Sequence, residues 1–370
     1  MVAQFANIIL LEKESSGMIL MAIQQEETVG IASIGYYIPE NILTSSEMSR
    51  LSGIPLHVFL EKIGMEKKHI AASDEHPSDM GIRAAREAIT RAGIGPEEIG
   101  IIAYCGASFY DYRIWSPGAR IQAALEADDC YAFEVKNGCN GGNLGINMCK
   151  NLLLSDSEKE FALVVCSEKL SISIDYTDPN SLSLFIVGDG AAAAVLKKGE
   201  AKNQLLNYVS LTDGSTVDSI KVPLGGTRLP HVQGVHDSRR NCIDSRLNYI
   251  CVDDPEGLDR ILSQTYLENY VKVITRAVEK SSYTLKDIDF LFTNQVKRSL
   301  SKEIFRSVGL GEDNTVTSIK DYGHMGTADT LFNLGRAMEH GLVEPGCLAV
   351  IASSGAGFTW AAMAVKFNET

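Results

Sequence analysis

Residues 131 to 153 read YAFEVKNGCNGGNLGINMCKNLL. Strand-forming residues, Tyr131 to Val135, run into Asn137-Gly138, a dipeptide that turns the chain sharply. Cys139 follows, then Asn140-Gly141-Gly142, then apolar residues at helical spacing from Gly141 to Leu154. This order puts Cys139 at a helix N-terminus. Unpaired N–H groups and the helix dipole favour a thiolate there, and the flanking glycines let a substrate approach. The competing reading is a buried cysteine in a glycine-rich turn, since free cysteines often serve as core.

Outward from this segment, short apolar runs alternate with helical patterns. Thr28 to Tyr36, Ile99 to Tyr104 and Phe161 to Cys166 read as strands, and Ser78 to Ala92 as an Ala-rich helix with Ser78 as N-cap. Such alternation indicates an α/β layered fold. The chain also repeats itself. PEEIGIIAYCG at Pro96 answers TLKDIDFLFTNQ at Thr284, and FALVVCSE at Phe161 answers CLAVIASS at Cys347. The strand starts Ile99 and Ile288 lie 189 positions apart, and Phe161 and Cys347 lie 186 apart. A steady offset points to duplication. The closing pair, GDGAAAAVL from Gly188 and GAGFTWAAMAV from Gly355, lies only 167 apart and demands a shorter connection in the second half. Residues 28–200 and 201–370 therefore read as two similar halves, with Asp213 to Asp254 a long functional loop or insertion. Residues 1–27 read as an N-terminal extension and a candidate for disorder.

Composition narrows the function. The chain has 370 residues, 22% charged and 45% hydrophobic, ample apolar material for packed cores. With 34 Lys+Arg against 47 Asp+Glu, the net charge is −13, which argues against a nucleic-acid or membrane-surface binder. No apolar run approaches the roughly 18 residues that span a bilayer. The eight cysteines are too dilute for a disulfide scaffold and form no CxxC pair, so no metal site is expected and a cytoplasmic enzyme with reduced thiols is the simplest reading.

From Thr28 to the end, the sequence resembles the thiolase superfamily and, within it, β-ketoacyl-acyl-carrier-protein synthase III. Four pieces in order carry the resemblance: VGIASIGYYIPENILTSSEM from Val29, GCNGG around Cys139, VGDGAAAAVL from Val187, and the closing GAGFTWAAMAVKF. It implies a thiolase-like, duplicated, five-layered αβαβα fold, usually a homodimer. It also implies an acyltransferase that uses thioesters of coenzyme A or an acyl carrier protein and no separate cofactor.

The sequence departs from that family at its two other polar residues. Synthase III supplies a His after the second-half strand and an Asn from a later glycine loop. Here Asn294, in Thr293-Asn294-Gln295-Val296-Lys297, stands at the first place and His324, in Tyr322-Gly323-His324-Met325-Gly326, at the second. The exchange resembles true thiolases, but Ser353 occupies the position of their second Cys, and a hydroxyl is a far weaker base than a thiolate. His324 and Asn294 remain able to donate to a thioester oxygen as it becomes an enolate. Alternatively, His324 is a loop histidine bonded to Asp321 or Asp329, and Asn294 a cap of the following helix. The family's adenine-packing Trp falls near Val58 or Phe59, and its Arg partner near Lys62. In the loop Ser108 to Ser116, Ile114 lies near the residue that limits acyl length, and Trp115 is either a substrate contact or dimer core.

The leading expectation is an acyl-thioester condensing enzyme. Cys139 takes the acyl group, the N–H groups of Cys139 and of the Gly355-Ala356-Gly357 turn hold the oxyanion, and His324 with Asn294 stabilises the enolate from a malonyl-type thioester. The alternatives are an acyltransferase to an amine or alcohol, and a silent partner subunit of a heterodimer. Past Asn294, Lys297, Arg298, Lys302 and Arg306 form a basic stripe, with Glu303 to balance it, on a helix whose apolar face is Val296, Leu300, Ile304 and Val308. Acidic carrier proteins would dock there; the alternative is an ordinary solvated face.

Overall fold

The computed structural model describes residues 8–10, 20–22, 27–107, 110–230 and 245–369. The first half contains β1 (Val29–Tyr37), α1 (Pro77–Ala92), β2 (Ile99–Cys105), α2 (Pro117–Leu125), β3 (Tyr131–Val135), α3 (Gly141–Ser155), β4 (Phe161–Lys169) and β5 (Asp189–Lys198). The second contains β6 (Asn203–Thr212), α4 (Pro255–Lys280), β7 (Phe290–Thr293), α5 (Arg298–Ser307), α6 (Asp329–Glu339), β8 (Leu348–Gly355) and β9 (Thr359–Phe367).

The strands run in the order β7-β8-β9-β6-β1-β5-β4-β2-β3. Only the pair Gln204–Gly30 joins β6 to β1, so the sheet is two half-sheets meeting edge to edge. Their internal patterns match. β2 is parallel to β4, β4 antiparallel to β5, and β5 antiparallel to β1. Likewise β7 is parallel to β8, β8 antiparallel to β9, and β9 antiparallel to β6. Each repeated motif read from the sequence therefore falls on an equivalent strand: β2 with β7, β4 with β8, β5 with β9. The short closing offset also has its cause, because residues 170–188 link β4 to β5 whereas residues 356–358 suffice between β8 and β9.

Helix contacts define the layers. α1 packs on β1, β4 and β5, and α4 on β6, β8 and β9. Between the half-sheets, α3 touches β4 and β2 on one side and β8 and β9 on the other, while α6 touches β1 and β5 as well as β7 and β8. The result is the αβαβα stack expected. Strands β4 and β8 are buried along their whole length, which is why they read as continuous apolar runs rather than alternating ones.

Several boundaries differ from the sequence reading. Helix α1 starts at Pro77, not after a Ser78 cap; His76 is the N-cap, and the Ser78 hydroxyl donates to Asp111 at 2.7 Å. Proline suits the first helical position because its missing N–H would go unpaired there anyway. β4 continues through Ser167, Glu168 and Lys169, polar residues that are nonetheless buried. Within the segment 213–254, Ile220–Lys221 pairs antiparallel with Cys251–Val252, and residues 231–244 lie outside the described residues. Most of the expected extension 1–27 also lies outside them; within it, Ile8–Leu10 pairs antiparallel with Leu20–Ala22. Among the described residues, no helix is long and apolar enough to cross a membrane.

Two glycines set the spacing of these layers. A Cβ on Gly35 in β1 would lie 2.3 Å from the Ala88 nitrogen of α1, and one on Gly335 in α6 would lie 2.8 Å from Ile34 Cγ2. β1 is thus gripped from both sides at closer range than any side chain permits. Gly35→Ala should destabilise the fold by about 2 kcal/mol or more through overpacking, read as a lower urea midpoint at unchanged slope.

Candidate active site

The nucleophile turn is built by close backbone approach. Gly138 has φ +56°, and Gly141 N donates to Gly138 O at 3.0 Å to close the turn into α3. The β8–β9 turn presses against it. A Cβ on Gly355 would lie 2.7 Å from Asn137 O and 3.0 Å from Cys139 N, and one on Gly138 would lie 3.1 Å from Ala356 N. Asn137 and Asn140 clamp the two turns from the side, both donating their amides to Thr359 Oγ1, at 3.3 and 2.9 Å. Cys139, Gly355 and Ala356 are therefore brought together, as an oxyanion site requires.

Cys139 is partly accessible, whereas Cys105, Cys149 and Cys166 are buried. Burial raises the thiol pKa of Cys149, and a hydrogen bond to Cys105 and burial raise that of Cys166, so both stay protonated. Ser353 is no substitute for a second nucleophile. Its hydroxyl donates to Asn140 Oδ1 at 2.5 Å and accepts from Asn143 Nδ2 at 2.9 Å, deep in the interface between α3 and β8.

His324 reaches the nucleophile directly, with Nε2 3.2 Å from Cys139 Sγ. Its other nitrogen, Nδ1, lies 2.5 Å from Asp329 Oδ2. That carboxylate is 0% exposed and also accepts the backbone N–H of Gln295 at 2.6 Å and of Met325 at 2.8 Å. Backbone N–H groups can only donate, so Asp329 is the acceptor throughout and Nδ1 carries a proton. Burial favours the neutral ring, but the Asp329 carboxylate and Cys139 overcome it and hold the His324 pKa well above the ordinary histidine value. That upward shift favours the protonated ring, the form in which both nitrogens donate. Behind it, the His324 backbone pairs with Ile186 and Gly188, and the buried Lys68 ammonium donates to the carbonyls of Phe185 and Val187 on that same segment. Burial pushes Lys68 down to about 7.

Asn294 is 4% exposed and does not cap α5, whose N-cap is Lys297. Its Oδ1 accepts from Tyr270 OH at 2.5 Å and from Ser354 N at 3.0 Å. Through Ser354 it adjoins the Gly355 turn, and through Gln295 it adjoins Asp329. A second buried carboxylate, Glu168, accepts the Ala107 N–H at 2.6 Å and lies 3.0 Å from Thr327 Oγ1 beneath the His324 loop; burial raises it to about 7.

Sequence reasoning named Asp329 only as a bland partner of His324, and it missed Tyr270 and Glu168. A carboxylate five positions after a loop histidine, opening a helix, was the one available signal; the others come from distant segments. The expected substrate residues fare differently. Phe59 is fully buried and stacked on Phe185 with ring centroids 6.3 Å apart, so its face packs the core and has no surface for an adenine. Lys62 is exposed on the turn Val58–Ile63, which packs against α5. Ile114 is fully exposed at φ +51°, and Trp115 packs edge-on against Tyr112; neither is brought to Cys139 within this chain. Ser108 and Phe109 of that loop lie outside the described residues. On α5, Arg298 and Lys302 both pair with Glu312, at 3.4 and 3.2 Å, so Glu312 and not Glu303 balances the stripe. Lys297 and Arg306 are exposed.

The family model for 3-oxoacyl-[acyl-carrier-protein (ACP)] synthase III matches residues 133–214, and the model for its C-terminal part matches residues 278–367. The β-ketoacyl-[acyl-carrier-protein] synthase III of Symbiobacterium thermophilum is 30% identical over 344 residues, covering 92% of this chain and 98% of its own. That of Aliarcobacter butzleri is 29% identical over 337 residues, covering 90% and 96%. The crystal structure of the synthase III from Aquifex aeolicus superposes with a TM-score of 0.78 at 22% identity, over 92% of this chain and all of that one. Xanthomonas campestris OleA superposes with a TM-score of 0.77 at 22% identity, over 92% and 98%. With its fold, its duplicated order and its cysteine at the start of α3, the chain belongs to the β-ketoacyl-[acyl-carrier-protein] synthase III family.

Proposed function

We infer that the protein is a condensing acyltransferase that is acylated on Cys139 and extends the acyl group by decarboxylative Claisen condensation. The contact chain Cys139–His324–Asp329 carries this reading, with the Asn294 amide alongside. In the first half-reaction the Cys139 thiolate attacks an acyl thioester. The N–H groups of Cys139 and of the Gly355-Ala356 turn take the oxyanion, and the carrier thiolate departs. In the second, a malonyl-type thioester loses CO₂. The His324 Nε2–H and the Asn294 amide donate to the enolate oxygen, and the enolate carbon attacks the acyl group and releases Cys139. No separate cofactor enters either step.

The substrates are thioesters of coenzyme A, a carrier protein or both. Exposed Lys297, Arg298 and Arg306 beside Lys62 support a carrier-protein dock at α5, though exposed ion pairs such as those to Glu312 weaken its field. A homodimer is supported by the open edge of the sheet at β3, where Tyr131 is exposed. A cytoplasmic setting is supported by Cys105, Cys139, Cys149 and Cys166, which are free thiols.

Three measurements test the proposal. His324→Ala should lower malonyl decarboxylation about 10²-fold or more, while intact mass still shows Cys139 acylated, because the N–H groups that take the oxyanion in that step do not depend on His324. If acylation is lost as fully as in Cys139→Ala, His324 is a base for the nucleophile and acyl transfer to an amine or alcohol takes over.

Asp329→Asn should move the alkaline limb of the decarboxylation profile to lower pH. The donor form of His324 is present below its raised pKa and lost as pH rises through it. Without the carboxylate the desolvation that opposes the charge prevails, so the ring deprotonates earlier. An unshifted limb would remove Asp329 from this role.

Charge reversal at Arg298 and Arg306 should raise KM for a carrier-bound substrate and flatten its salt dependence, leaving turnover of a free pantetheine thioester as before. An equal response of both substrates would rule out a dock on α5.

A further inference from the structure

An asparagine side chain can present either its oxygen or its NH₂ to a substrate, and only one of these stabilises an enolate. What decides the matter at Asn294 is Tyr270, on the buried face of α4 and far from any segment the sequence marked. The phenol has one proton, and the nearer acceptor is Asn294 Oδ1 at 2.5 Å, against 3.2 Å to Ala352 O. The Ser354 N–H donates to the same oxygen at 3.0 Å. Both lone pairs of Oδ1 are then used. Because the amide is planar, Nδ2 faces away from both donors, and no hydrogen-bond partner meets it among the described residues. Rotating the amide by half a turn would set NH₂ against the Ser354 N–H, which cannot accept, and would force Tyr270 to exchange its 2.5 Å bond to Asn294 for the longer one to Ala352 O at 3.2 Å.

The Ser354 N–H, which can only donate, holds this polarity, and the short Tyr270 bond supports it. Tyr270 and Tyr266 are both buried, with ring centroids 5.7 Å apart, and Tyr266 OH bonds Ser354 Oγ. Burial raises both phenol pKa values, so both phenols keep their protons.

We propose that Tyr270 is a positioning residue which, together with the Ser354 N–H, commits the Asn294 amide to act as a hydrogen-bond donor during condensation. The assignment rests on the condensing reading above. Tyr270 touches no substrate; it acts through Asn294 alone.

The test is a double-mutant cycle read on malonyl-thioester decarboxylation and, separately, on Cys139 acylation by mass. Tyr270→Phe keeps the ring and removes the proton. It should lower kcat for decarboxylation about tenfold, with a smaller change in KM, and alter the acylation rate less than about twofold. Asn294→Ala should lose more, and Tyr270→Phe added to Asn294→Ala should cost nothing further. Asn294→Asp, which keeps the acceptor and removes the donor, should resemble Asn294→Ala. A Tyr270→Phe effect of equal size with and without Asn294 would overturn the proposal, as would no effect on the otherwise native enzyme. If the native enzyme decarboxylates no malonyl thioester, the condensing reading falls and this assignment with it, an outcome visible before any variant is compared.

Discussion

A carboxylate with no access to water must collect donors or become neutral, since an unpaired buried charge costs several kcal/mol. Asp329 collects three, from the Gln295 N–H, the Met325 N–H and His324 Nδ1. Those donors come from two loops that the chain order keeps apart, one leaving β7 and one entering α6. Satisfying a single anion therefore draws Asn294 and His324 to one place. Asp329 is also the first residue of α6, where the helix dipole favours negative charge. The same contact sets the protonation of the ring, so position and charge of His324 have one cause.

The remaining constraint is backbone contact between the halves. The nucleophile belongs to the first half and its polar partners to the second. Their meeting depends on α3 and α6 lying between the half-sheets and on glycines where the turns touch. Asn140, Asn143, Ser353, Thr330 and Thr359 fill that interface with side-chain hydrogen bonds, a polar network that fixes register where apolar packing alone would allow sliding. Ser353 serves there as a short hydroxyl between Asn140 and Asn143, which accounts for a serine at this position.

What the sequence disclosed follows from how each feature is encoded. Strand β3, the turn at Cys139 and helix α3 are contiguous, so turn chemistry and helical spacing exposed them directly. The duplication showed because buried strands such as β4 and β8 must be apolar throughout and recur at a fixed offset. Asn294 and His324 were found through the resemblance, and the structure sets His324 against Cys139. Tyr270 and Glu168 act across long sequence separations, and nothing local distinguishes them from core residues. Phe59 shows the opposite failure. An aromatic near the expected position suggested a ligand platform, but burial depends on what packs above it, and Phe185 lies more than a hundred positions away.

The contact chain Cys139–His324–Asp329 also bears on the order of events in the proposed cycle. Before acylation, the His324 Nε2–H lies 3.2 Å from the Cys139 sulfur and is engaged by it. A malonyl thioester arriving then finds no free cationic donor for its carbonyl, and decarboxylation gains little. Acylation turns the sulfur into a neutral thioester, a poor acceptor, and releases Nε2–H while Asp329 keeps the ring charged. The Asn294 amide, held by its own neighbours and not by the sulfur, is unaffected by this change. One donor is thus constant and the other becomes available only when the acyl group is in place. An enolate formed at that moment has an electrophile beside it. A neutral histidine at the same position would lack this dependence, because its single proton would remain on Nδ1 and Nε2 would accept in both states.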